Sequence, residues 1–122
     1  MRSVSLRLDI APVPASRPRV SKWGTYYSKR YSQWITDADS SLDDAGDSGF
    51  STPVKVTVLF AIPRAKTSTL VVPVGDGDNY EKALYDLLES KGYLENDKLI
   101  TTAVWRKRFV PYGETGYIKV RS

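Results

Sequence analysis

Apolar positions recur along this chain with two different periods. Val4, Leu6, Leu8 and Ile10 alternate with Ser3, Ser5, Arg7 and Asp9, which predicts a half-buried strand ended by Pro12 and Pro14. Residues 54–62 alternate in the same way and are rich in β-branched side chains, which predicts a second, central strand stopped by Pro63. Residues 98–110 predict a third strand with Leu99, Ile100, Val104 and Trp105 turned inward. Residues 117–121 predict a fourth, joined to the third by a hairpin turn over 111–116. Between strands the period lengthens. Tyr31, Trp34, Ile35, Ala38, Leu42 and Ala45 predict a helix over 29–45, with Ser28 as N-cap and Gly46 and Gly49 closing it. Tyr80, Ala83, Leu84, Leu87 and Leu88 predict a second helix. Asp78 caps it, Glu81 stands three residues on as in a capping box, and Gly92 stops it.

The order strand, helix, strand, helix, strand, strand places the chain in the α+β class. It predicts a small mixed β-sheet with two main helices packed on it. A length of 122 residues suits one domain over 1–122, large enough to bury a core.

Composition then narrows the chemistry. With no cysteine and no histidine, the chain cannot build thiolate metal sites, cysteine nucleophiles or a Ser-His-Asp triad. Catalysis is left to carboxylates, lysine, tyrosine or a hard metal ion held by oxygen. The net charge of +4 and pI of about 9.3 fit a nucleic-acid partner. The charge is unevenly placed. Residues 1–34 carry seven Lys/Arg against one Asp, and 98–122 carry six against one Glu. The stretches 35–50 and 75–97 are each −5. Arg7 and Asp9 interrupt the first apolar run, and no run approaches the ~20 residues of a membrane span. A soluble protein of the cytoplasm, without membrane contact, is the expectation.

Two stretches carry candidate chemistry. Residues 15–27 form a basic, aromatic, proline-broken loop, in which Arg17, Arg19 and Lys22 suit phosphates and Trp23, Tyr26 or Tyr27 suit stacking. Lys29, Arg30, Lys66, Arg106, Lys107 and Arg108 extend the set of candidate DNA contacts. Asp37, Asp39, Asp43, Asp44 and Asp47 read as the wet face of the first helix. The second stretch opens the second helix. Asp76 and Asp78 are one glycine apart, so in an extended segment both carboxylates can face one ion. Lys82 follows Asp78 by one turn and can reach a phosphate oxygen, with Asp86 one turn further to tether it. Asp97 would have to return from beyond the helix to complete the set. Mg²⁺ held by such acids supplies an activated water and relief of phosphate charge.

These residues resemble the RusA family of Holliday junction resolvases, common in phages and prophages. The pattern reads Asp76-Gly77-Asp78-Asn79, Lys82, Ala83-Leu84-Tyr85-Asp86-Leu87-Leu88, Gly92-Tyr93 and Asp97, with Pro14-x-x-Arg17-Pro18-Arg19 upstream. The resemblance implies that Asp76, Asp78 and Asp97 hold Mg²⁺, with Mn²⁺ as a substitute, and that Lys82 is the catalytic lysine. It further implies a homodimer acting on branched DNA, nicking opposed strands of a four-way junction in recombination and repair, in a bacterium or a phage-infected host cell. Gly75 and Gly77 stand where the family often has Pro and an apolar residue, which predicts a looser approach to the helix. Asn96 stands where a second acid often precedes the last Asp.

Two other readings are open to the same residues. In one, the chain is a non-catalytic nucleic-acid-binding module, and Asp76, Asp78 and Asp97 are caps and surface acids. In the other, residues 70–72 and Trp34 form an interface with a protein partner.

Overall fold

The computed structural model describes residues 3–46 and 49–122, so Asp47 lies outside the described residues. Its elements in order are β1 (Ser5–Leu8), β2 (Arg19–Ser21), β3 (Gly24–Tyr26), α1 (Lys29–Ser41), β4 (Val54–Pro63) and α2 (Gly77–Ser90). A 3₁₀ turn (Asp97–Leu99), β5 (Ile100–Val110) and β6 (Tyr117–Arg121) complete it. A mixed four-stranded sheet runs β1-β6-β4-β5, and the two helices pack on one of its faces. This is the expected α+β arrangement.

The alternation in β4 decides which face is covered. Val54, Val56, Val58 and Phe60 are buried, together with Leu8, Ile118 and Val120 of the neighbouring strands. Tyr31, Trp34 and Ala38 of α1 meet them, with Leu42 just past its end, as do Tyr80, Ala83, Leu84, Leu87 and Leu88 of α2. The Phe60 and Tyr80 rings lie 5.4 Å apart. Trp34, expected on one reading at a protein interface, is buried and donates its indole N–H to the Ala11 carbonyl at 3.0 Å.

Four local expectations change. The third and fourth strands do not form a hairpin, because β4 lies between β5 and β6: β5 pairs parallel to β4, and β6 pairs antiparallel to it. The connection crosses the end of β4 at Gly116, where a Cβ would collide with the Ala61 carbonyl and the Pro63 ring. Val104 falls on the uncovered face and is 55% exposed. Residues 15–27 are not wholly loop, since β2 and β3 pair as a short hairpin. Helix α1 stops at Ser41 rather than 45. Thr36, Ser40 and Ser41 bond back to the carbonyls of Ser32, Thr36 and Ala38, which competes with helix propagation. Asp43 and Asp44 would then sit at the negative end of the dipole. The expected start of α1 stands, with the Ser28 hydroxyl accepting from the Tyr31 amide at 3.3 Å.

Candidate active site

Helix α2 begins two residues earlier than a cap at Asp78 requires. Asp76 is the N-cap, Gly77 the first helical residue, and Asp78 lies in the first turn. The amides of Asn79 and Tyr80 donate to the Asp76 carbonyl at 3.1 and 3.2 Å, while the Asp76 side chain makes no capping bond. Glu81 closes no capping box and instead accepts from the Tyr85 hydroxyl at 2.6 Å. The carboxylates of Asp76 and Asp78 are therefore exposed and without a partner among the described residues. Both sit at the N-terminal, positive end of a 14-residue helix.

The approach to this pair is packed, not loose. A Cβ on Gly75 would run into the Tyr80 ring, and one on Gly77 into the Trp105 indole of β5. Only glycine lets both rings close on the backbone either side of Asp76. Lys107, also on β5, donates from Nζ to the Gly75 carbonyl at 2.8 Å. Lys82 lies one turn past Asp78, 65% exposed and 3.4 Å from Asp86. A pair this exposed contributes only about 0.3–0.5 kcal/mol, so the ammonium can be drawn away by a stronger partner.

The N-terminal basic segment is stapled beside the same helix end. The Ala15 amide donates to the Asn79 carbonyl at 2.9 Å, and Ser28 donates to the Ser16 hydroxyl. Arg17 is thus exposed just past the first turn of α2. Arg30 acts on the same region. Burial pushes the Tyr80 hydroxyl pKa up, and the Arg30 guanidinium works against that shift. Lys22 lies over the Trp23 ring at 5.0 Å, and that ring is 86% exposed at the hairpin tip. Tyr27 instead packs edge-on to Tyr31. Lys29 is exposed at the start of α1, and Lys66 in the 64–76 connection. Arg64 shapes that connection by donating to the carbonyls of Ser68 and Leu70 and lying over the Phe109 ring. The side chains of Arg19 and Tyr26 lie outside the described residues.

Asp97 is placed elsewhere. It opens the 3₁₀ turn before β5, and its amide donates to a Glu89 carboxylate oxygen at 2.5 Å. Glu89 is about 18 Å along the helix axis from Gly77 at 1.5 Å per residue. The sheet agrees. Ile100 pairs with Val54 at one end of β4, whereas Gly77 abuts Trp105, roughly 17 Å further along β5. Among the described residues, no three acids gather as a metal cluster.

A profile of the endodeoxyribonuclease RusA matches residues 9–121, nearly the whole chain. The chain belongs to the RusA family. No curated protein matches it. Membership makes it one of a family of DNA endonucleases, and the match spans the helix start described above. No helix among the described residues is long and apolar enough to cross a membrane.

The extended spacing expected for Asp76 and Asp78 is not kept, because Asp78 already lies in the first turn of α2. As a donor set, two exposed carboxylates suit a hard divalent ion, which takes one or two and leaves positions for water and phosphate. The three acids together do not fit one ion within one chain. Arg106, Lys107 and Arg108, all expected as DNA contacts, lie on two faces of the sheet. Register with β4 sets Lys107 on the helix side, beside Gly75, and Arg106 and Arg108 on the uncovered face. Trp105, expected only as a core residue, proves to hold the helix start. Nothing in its spacing from Gly77 reveals that, because their meeting depends on how α2 crosses the sheet.

Proposed function

We infer that the chain is a Mg²⁺-dependent, structure-selective endonuclease that resolves four-way DNA junctions by paired symmetric nicks, in recombination and repair in a bacterium or phage-infected host. The observation that carries this is the pair of unpartnered carboxylates at the start of α2 in a chain of the RusA family. Bound Mg²⁺, or Mn²⁺ in its place, would supply an activated water and relieve charge on the scissile phosphate. Asp76 and Asp78 hold the ion. Lys82 stands where it can meet a phosphate oxygen as charge develops there. Arg17 and Arg30, brought to the same helix end, orient the DNA backbone, and Lys22, Lys29 and Lys66 lie further out along it.

The chain acts as a homodimer, because two symmetric cuts need two-fold related sites. The offset of Asp97 gives the dimer a second role, since a second copy is free to bring its own Asp97 to the pair.

The test is cleavage of a labelled four-way junction beside linear duplex, with Mg²⁺ and with EDTA. Asp78→Asn should abolish nicking while keeping or strengthening junction binding, since one negative charge is removed. Mixing Asp78→Asn chains with Asp97→Asn chains should restore nicking if the site is shared between copies. A folded Asp78→Asn protein that neither binds nor cuts would refute the assignment. The separation of Asp97 from the pair favours, as second reading, a nucleic-acid-binding module without catalysis. It requires a junction retarded but uncut with Mg²⁺ and Mn²⁺ alike.

A further inference from the structure

The face of the sheet that no helix covers gathers cations from all four strands. Val54, Val56, Val58 and Phe60 point into the core, so Lys55, Thr57 and Leu59 of β4 point the other way. The strand registers continue that face. Arg7 of β1 lies beside Lys119 of β6, Lys119 beside Leu59 of β4, and Leu59 beside Arg106 of β5. At ~4.8 Å per strand this row is about 14 Å wide. The next row runs Ser5, Arg121, Thr57, Val104. Arg108 adds its guanidinium beside the Tyr117 hydroxyl at 2.6 Å, and the Tyr117 ring lies under Arg7 and Lys119. A shallow concavity of about 510 Å³ opens here, lined in part by Arg7, Arg106, Lys119 and Arg121.

These cations are not neutralised. Arg7 pairs with Asp9 at 2.8 Å, but among the described residues Lys55, Arg106, Arg108, Lys119 and Arg121 form no ion pair. The acids of α1 and α2 lie on the other side of the sheet. Packing this face on a second copy would set like charges against each other, so a polyanion is the complementary occupant.

We propose that the open sheet face binds the phosphate backbone of a duplex DNA arm, on the side of the sheet opposite Asp76 and Asp78. The inference rests on the nuclease reading and adds a second contact surface to it. Strand β5 joins the two surfaces. It is an edge strand, with Lys107 beside Gly75 on the helix side and Arg106 and Arg108 on the open side. A branched substrate has more than one arm, so one arm can meet the open face while another lies at the acid pair.

The experiment measures duplex and junction binding in EDTA over a salt series, for the unmodified protein and for a Lys55→Gln, Lys119→Gln, Arg121→Gln variant. With about 0.9 counterions released per phosphate contact, the slope of log K against log salt should become shallower by up to about 2.7. An unchanged slope and affinity in the folded variant would overturn the sheet-face proposal, while the nuclease reading would still stand on the nicking of the unmodified protein. Failure of the unmodified protein to bind DNA at all would remove both. The second measurement needs no variant. Acetylation of the unmodified protein should be slowed by duplex DNA at Lys55 and Lys119 more than at Lys98. Equal protection at all three, or protection by polyglutamate and not by DNA, would overturn the proposal.

Discussion

Gly77→Ala separates a local from a tertiary account of the active-site helix. Gly77 is the first residue of α2, and its φ is not positive, so its backbone accepts alanine. Helix propensity alone then expects a gain of up to about 1 kcal/mol. The packing gives the opposite sign. A methyl group at this position would enter the Trp105 indole, not the end of a flexible side chain. Relief requires the indole to leave its place against the core or α2 to lift from β5, and overpacking of this kind costs roughly 1–3 kcal/mol. If the helix start moves, Asp76 and Asp78 move with it, and a misplacement near 1 Å costs about 10²-fold in rate. Urea unfolding followed by tryptophan fluorescence measures the first effect, and single-turnover junction cleavage the second. Trp105→Leu in the Gly77→Ala background should recover part of both losses, so the two changes should be non-additive by more than about 0.5 kcal/mol. A Gly77→Ala protein at least as stable as the parent, with unchanged cleavage, would refute the argument.

Other outcomes are expected from the same structure. Lys82→Ala should change stability by no more than about 0.5 kcal/mol, because its pair with Asp86 is exposed, yet slow cleavage by about 10²-fold or more. A large stability loss with normal cleavage would make Lys82 a structural residue. The hydroxyls of Tyr31, Tyr80 and Tyr85 all have pKa values raised above 10.0, chiefly by burial, with Tyr85 held further by its bond to Glu81. The folded state therefore holds these protons more tightly than the unfolded one. This stabilisation is full below about pH 10 and is lost as pH rises beyond it. Thermal melts from neutral to alkaline pH should show the fall, and Tyr85→Phe should flatten it. A melting temperature that does not drop above that pH would contradict the assignment.

The class of fold, the two helices, the central strand and the helix-start motif are legible in the sequence because each rests on near neighbours. Alternation in 54–62, the three- and four-residue spacing in α1 and α2, and the Asp76-to-Lys82 block need no knowledge of what lies across the fold. The same local patterns suggested a hairpin for residues 98–121. A turn signal marks where the chain reverses but not which strand it reverses beside, and β4 takes the place between β5 and β6.

The rest was decided by the tertiary structure, for the same reason throughout: side-chain direction is local, but what a side chain meets is not. Alternation put Arg106, Lys107 and Arg108 on opposite faces, yet only the register with β4 showed that Lys107 meets Gly75 while the two arginines join Arg7 and Lys119. The glycines around Asp76 read locally as slack, and the rings of Tyr80 and Trp105 make them tight. The resemblance to the family groups Asp97 with Asp76 and Asp78. The length of α2 and the parallel crossing to β5 hold it at the far end of the helix, because sequence spacing does not say how far a helix carries the chain from its own start.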